Sequence, residues 1–316
     1  MWNGGEVMVT GHVEMTTKPN VTEIRLFVAS SMMVQNGYFE FSKHMPQPER
    51  MPGVMNVLVL PGNNVQYASR TIAAFFEFLV DTCKCWDHVF FVPGPWEYCV
   101  GTLEKGDDFT SLLAAFSSTR PRTIVILGSN PKTTVQSVLF RGFGLLITGA
   151  ECWPVDTDVY DVRRIYSRGD KYEKDEDAVA NASMPTEEAM KHRLATDVAS
   201  IRMSLMRCPD VPVRVVVTHG CPSSVLCTDE RKADTSADFY GIAEVALQKL
   251  GFLDIVDYWI YGANGDRPVA QLRKKGHPLA TNRNPYFVCN QFVPREGKFQ
   301  WSEHIKVQRR TTEEKK

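Results

Sequence analysis

His219-Gly220-Cys221 places an imidazole and a thiol two residues apart, directly after the apolar run Val215, Val216 and Val217. An imidazole in such a loop can serve as a metal ligand or a base. A thiolate there can be a nucleophile if it has a base and an oxyanion site. Three other apolar runs end in the same way. VLVLPGNN places Asn63 and Asn64 after Gly62, and VFFVPGPWEY places Trp96 and Glu97 after Gly94. YWIYGANGDRP places Asp266 and Arg267 after Gly262. Imidazole, carboxylate and amide groups suit borderline and hard metals, whereas glycine loops offer backbone N–H groups to an anion.

Each of these runs reads as a buried strand stopped by a Pro-Gly or Gly turn. In an α/β protein, loops at the carboxyl ends of strands are where sites are built. The pattern predicts further strands over 24–29, 123–127, 135–140, 144–148, 286–289 and 304–307. A helix-period apolar face runs over 69–84, and another over 239–250 is closed by Gly251. Met184-Pro185-Thr186-Glu187-Glu188 is a helix start, with proline and acids in the first turn. It predicts a helix over 186–207 whose buried face is Met190, Leu194, Val198, Ile201, Leu205 and Met206. Residues 1–20 read as an irregular or β-hairpin lead-in. Strands alternating with helices, some in antiparallel-looking pairs, predict one α/β domain with mixed sheets. The expected organisation is an N-terminal extension over 1–23, a single domain over 24–307 and a polar tail over 308–316.

With 316 residues, 43% hydrophobic and 23% charged, the chain is long enough for one large domain or two ordinary ones. A formal net charge of −1 gives no field that favours nucleic acid or a membrane surface, so RNA contact is not indicated by charge. No segment reaches the roughly 18 apolar residues of a membrane span, and no secretory leader is recognisable. Eight cysteines without paired C-x₂-C spacing read as reduced structural thiols. An intracellular, cytoplasmic protein is expected, with a mitochondrial one as the alternative.

In order, spacing and wording, the four loops resemble the calcineurin-like metallophosphoesterases, particularly their small bacterial-type branch. VLVLPGNN is similar to the family's strand ending in G-D, and HVFFVPGPWEY to its G-N-H-E-x-Y. VVVTHGCPS is similar to T-H-x-x-P-S, and DYWIYGANGDRP to W-x-x-G-H-x-H. ASSMM stands where the family has S-D-x-H, and VCNQFVP resembles V-x-N-P-x-x-x-P. The likeness spans about residues 24–307. It implies a four-layer sandwich, two mixed sheets face to face with helices outside. It also implies two divalent metals such as Mn, Fe or Zn, which clamp the attacking and leaving oxygens of phosphoester hydrolysis.

The ligands themselves depart from that pattern. The family's first-loop Asp and His fall on Ser31 and Met33, or on Ser30 and Met32. Its bridging Asp falls on Asn63. The Asn and His of G-N-H fall on Pro95 and Trp96, and the last loop's two His on Ala263 and Gly265. Of the ligand positions, His219 alone keeps its residue type, and it is expected to be a structural histidine. Gly62, Gly94, Glu97, Tyr98, Pro222 and Gly262, which shape the loops, remain. Trp96 and Met33 are expected to plug the former metal cavity. No metal or other cofactor is therefore expected. The expectation is a pseudoenzyme acting as a structural or binding subunit, with protein partners in a larger protein or ribonucleoprotein assembly. One alternative is a divergent active phosphoesterase, with a single metal rebuilt on His219, Asn63 and Asp266 or Glu97, or with Cys221 as nucleophile. The other is a metal-independent phospho-ligand or nucleotide sensor using His219, Asn63 and Arg267, with Arg164 near.

Overall fold

Valine-, isoleucine- and phenylalanine-rich runs, stiff at χ1 and apolar on both sides, build the centre of this molecule as parallel strands buried on both faces. The computed structural model describes residues 11–30, 47–62, 64, 85–94, 97, 123–130, 134–152, 187–222, 251–262, 269–271, 285–289 and 305–310. Five strands form one sheet: β2 (Glu23–Val28), β3 (Val54–Pro61), β4 (His88–Val92), β5 (Thr123–Ile126) and β12 (Ile305–Gln308). Their order is β12-β2-β3-β4-β5, parallel from β2 to β5, with β12 antiparallel at the edge.

The second sheet has seven strands. They are β1 (His12–Glu14), β6 (Ser137–Phe140), β7 (Leu145–Ala150), β8 (Val213–Thr218), β9 (Tyr258–Tyr261), β10 (Val269–Gln271) and β11 (Tyr286–Val288). The order is β1-β6-β7-β8-β9-β11-β10. β7, β8, β9 and β11 run parallel, and β6 and β10 are antiparallel to their neighbours β7 and β11. β6 turns into β7 through a 3-10 turn, Arg141–Phe143, closed by Gly144 in the left-handed conformation. The lead-in expected as irregular or a hairpin supplies β1 instead, paired in parallel with β6.

The two sheets pack face to face. Ile24, Leu26, Val57, Val59 and Phe90 from one meet Phe140, Ile147, Val215, Val217 and Ile260 from the other in one buried cluster. The opposite face of the five-stranded sheet is also covered, since Phe27, Leu58, Leu60 and Phe91 are buried. The helix expected over 69–84 lies outside the described residues, as does the one over 239–250. Gly251, just after the second, has φ +65°, the left-handed turn expected of a residue closing a helix. The outer face of the seven-stranded sheet is covered by α1 (Glu187–Arg207), whose Ile201 and Leu205 pack on Leu146, Val216 and Trp259. A one-turn helix, α2 (Phe252–Ile255), precedes β9. Among the described residues, no helix is long and apolar enough to cross a membrane.

Among the described residues, the buried face of α1 differs from the sequence expectation at four positions. Met206 is 63% exposed, while Asp197, Ser200 and Ser204 are buried. Apolarity misplaced Met206 on the inner face, and charge kept Asp197 off it. Helical geometry puts 194, 197, 198, 201 and 205 on one side, whatever their polarity.

Candidate functional site

The carboxyl ends of β3, β4, β8 and β9 carry the four loops. β3 and β4 belong to one sheet and β8 and β9 to the other, so a contact among these loops bridges the sandwich. Gly62 follows β3 with φ +83°. A Cβ there would lie 2.3 Å from Nδ1 of His219. Gly262, after β9, is tighter still: a Cβ would lie 1.6 Å from the carbonyl oxygen of Pro61 and 3.2 Å from Nδ1 of His219. The two glycines are required by this approach of loops, as a side chain at either would force them apart.

His219 lies between them, 2% exposed. Its Nδ1 is 3.1 Å from the Pro61 carbonyl oxygen, which only accepts, so Nδ1 carries the hydrogen and Nε2 the lone pair. Burial pushes the imidazole down to about 4, with the Pro61 contact pulling the other way. The ring is neutral near pH 7 and ties β8 to β3 across the two sheets. Its carbonyl accepts from the Gly262 N–H at 3.0 Å, which adds β9 to the same knot.

The neighbouring motif residues serve one another. Trp259 Nε1 donates to Thr218 Oγ1 at 2.9 Å, and that hydroxyl donates to the Gly220 carbonyl at 2.7 Å. On the β3–β4 side, Glu97 is 0% exposed. One of its carboxylate oxygens accepts from the Asn64 N–H at 2.8 Å, and the other from the Gly94 N–H at 2.7 Å. A carboxylate with both oxygens on backbone amides is a loop clamp, and it takes up N–H groups that an anion would otherwise use. Glu97→Gln should cost about 2 kcal/mol, because one amide then faces an NH₂ group. A urea-unfolding midpoint unchanged from wild type would rule the clamp out.

Asn64 is unusual. It is 0% exposed, and neither Nδ2 nor Oδ1 of its carboxamide has a hydrogen-bond partner. Buried polar groups are nearly always partnered, and an orphan costs about 1–3 kcal/mol.

Behind these loops lies a polar cluster that the sequence reading missed. The Glu151 carbonyl accepts from the N–H groups of His219 and Gly220 at 3.1 and 3.2 Å. Its side chain accepts from Arg193 of α1 at 2.9 Å. Asp197 accepts from Ser129 Oγ at 2.5 Å and from the Cys152 N–H at 2.9 Å. Cys152 is held at φ +48°, a left-handed conformation that is uncommon for a residue with a side chain. Arg193, Asp197, Ser200 and Ser204, spaced 4, 3 and 4, share one helical side, a periodicity visible in the sequence had charged residues not been assigned to solvent.

Of the positions singled out in the sequence, His219, Gly62, Gly94, Glu97 and Gly262 are described and lie in these two groups. Ser30 is buried at the end of β2. Cys221, weighed as a nucleophile, is 2% exposed in the apolar cluster with Trp259 and Tyr261, which suits a packed thiol. Ser31, Met32, Met33, Asn63, Pro95, Trp96, Tyr98, Ala263, Gly265, Asp266, Arg267 and Arg164 lie outside the described residues. Among those described, no three His, Cys, Asp or Glu side chains are grouped as metal ligands would be.

No protein-family model matches the sequence, and no curated protein sequence matches it. Solved structures do. The phosphopantetheinyl hydrolase PptH from Mycobacterium tuberculosis matches with a TM-score of 0.50 at 14% identity, over 87% of this chain and 92% of that one. The chain has a metallophosphoesterase-type α/β fold. The sulfate thiohydrolase SoxB of Thermus thermophilus is a looser match, with a TM-score of 0.39 at 11% identity over 93% of this chain and 58% of that one.

Proposed function

We propose that this protein is a catalytically inactive metallophosphoesterase-like chain that serves as a binding or structural subunit, within a larger protein or ribonucleoprotein assembly. The observation that carries the reading is the state of His219. The imidazole that keeps its type at a family ligand position gives its Nδ1 hydrogen to the Pro61 carbonyl, closed in by Gly62 and Gly262. In the sequence, Asn63, Trp96, Ala263 and Gly265 stand at positions where the resembled family has Asp and His. A two-metal site needs several anionic and imidazole donors to hold two dications, and these residue types do not supply them. A frame kept without its chemistry offers surface and shape.

Elemental analysis of the purified protein, with a phosphodiesterase assay in added Mn, tests this. The expected result is substoichiometric metal and no hydrolysis. Near-stoichiometric Mn, Fe or Zn with hydrolysis that His219→Ala abolishes would establish the divergent enzyme instead. Affinity purification from native cells followed by mass spectrometry should recover a stable large complex; a lone monomer contradicts the subunit role.

Asn64 favours a second reading, a metal-independent sensor of a phospho-ligand or nucleotide. Its orphaned carboxamide offers two donors and an acceptor near the loops where family substrates bind. Thermal stabilisation by nucleotides in the presence of EDTA, lost in Asn64→Ala, supports this reading; no shift leaves the subunit role standing.

A further inference from the structure

The chain's net charge of −1 hides a local excess of positive charge. It lies where the end of β12 meets the Arg141–Gly144 turn and the loop before β2. Arg309 is its fixed point. Its Nε donates to the Val21 carbonyl at 2.6 Å, and its Nη2 to Thr17 Oγ1 at 2.8 Å and to the Lys18 carbonyl at 2.9 Å. The guanidinium sits over the buried Phe143 ring, 5.2 Å from its centroid. None of these partners is a carboxylate, so the charge is held in place without being neutralised. The remaining amino group, Nη1, meets no acceptor among the described residues and lies beside Gly142, which is exposed.

Three further cations border it. Arg310 donates its backbone N–H to the Gly142 carbonyl at 3.3 Å, and its exposed side chain passes Gly144. Lys18 is exposed on the loop that Arg309 holds. Arg141, in the turn, is paired with Glu14. Glu23 is likewise taken up by Arg25. Arg207 and Asp210, exposed at and just after the end of α1, balance in charge. Lys18, Arg309 and Arg310 are left with no ion pair among the described residues.

We propose that Lys18, Arg309 and Arg310 form a binding surface for the phosphodiester backbone of a nucleic acid strand. A guanidinium already immobilised by three bonds loses little freedom on binding, and its planar donors suit phosphate oxygens. Segments 17–21, 141–144 and 308–310 expose no large apolar side chain. A protein partner draws on such anchors, and a phosphate backbone does not. The turn precedes β7, whereas the His219 loop follows the far end of β8, which runs parallel beside it, about 20 Å away. The surface therefore adds a partner to the subunit reading and stands whether or not the strand-end loops bind or react.

Fluorescence anisotropy of a labelled short oligouridylate with the full chain, in about 50 to 300 mM KCl, tests the surface. The logarithm of the association constant should fall with the logarithm of salt at a slope of about −2, from three phosphate contacts at about 0.7 each. Combining Lys18→Gln with Arg310→Gln should bring the slope to about −0.7 and weaken binding roughly fiftyfold at the lowest salt. The urea-unfolding midpoint should not change. Absence of binding at the lowest salt, or equal binding by the double variant, overturns the proposal. So does a polyglutamate of equal charge bound as tightly as the RNA, a result that assigns the surface to an acidic protein.

Discussion

Gly262→Ala should cost roughly 4 kcal/mol, at the upper end of what single substitutions do. The new Cβ would sit 1.6 Å from a backbone oxygen, that of Pro61, and within 3.2 Å of the His219 ring. Rotamer changes cannot relieve a clash with backbone. Relief requires parting the end of β9 from the end of β3, which also separates His219 Nδ1 from its acceptor. Gly251→Ala is the contrasting control. That residue has positive φ, +65°, but a Cβ there meets nothing within 4 Å. Only the left-handed backbone resists the change, so the cost is about 1 kcal/mol. Urea-unfolding midpoints of the two variants measure the difference. Equal destabilisation would show that the loops do not meet as described.

The pH dependence of stability is the second large effect, and its sign can be worked out. His219 and His88 are both pushed down to about 4 by burial; His88 faces the ring of Phe140, 6.0 Å away. An unfolded histidine titrates near 6.5. Between about 4 and 6.5, unfolding therefore takes up a proton at each, and stability is lost as pH falls through that window. A shift from 6.5 to about 4 amounts to roughly 3 kcal/mol per histidine. Asp197 acts in the opposite direction. Its folded value near 7 lies above the unfolded one, so it keeps a proton that unfolding releases, and it favours the folded state as pH falls. Two protons taken up and one released leave a net slope of about 1.4 kcal/mol per pH unit between about pH 4.5 and 6. His12, also lowered by burial, adds to the slope in the same direction. Glu14 and Glu23, lowered by their bonds to Arg141 and Arg25, act only below about 4.5, the range where carboxylates titrate. Asp197→Asn should double the slope, and His88→Gln should nearly cancel it. Denaturant titrations at several pH values decide; a stability that rises on acidification from pH 6.5 to 4.5 contradicts the neutral histidines.

Much of the framework was legible in the residues. The apolar runs before Gly62, Gly94, His219 and Gly262 are strands in the places expected. That succeeds because burial on both faces demands a continuous apolar run, which is a local property of the sequence. The start of α1 was legible for a similar reason, since proline and acids in a first turn carry a local signal. The glycines were legible as turns, but their cause was not. Gly62 and Gly262 are required by a ring and a carbonyl more than 150 and 200 residues away in the chain, respectively.

The partners of polar atoms were decided by tertiary structure alone. The sequence by itself determined that His219 stands directly after a strand. Only the packing of one sheet on the other determined that its Nδ1 meets Pro61 and that burial holds the ring neutral. A resemblance placed Glu97 in a family motif, and the approach of two loops turned its carboxylate onto their amides. Asp197 looked like one charge on a charged helix, until the seating of α1 on β7 placed it in the dark beside Glu151 with one guanidinium between them. Helical and strand periods are short-range and survive in any stretch of sequence. Hydrogen-bond partners and pKa values depend on which distant loops are brought within about 3 Å, and that is settled only when both sheets close on their shared core.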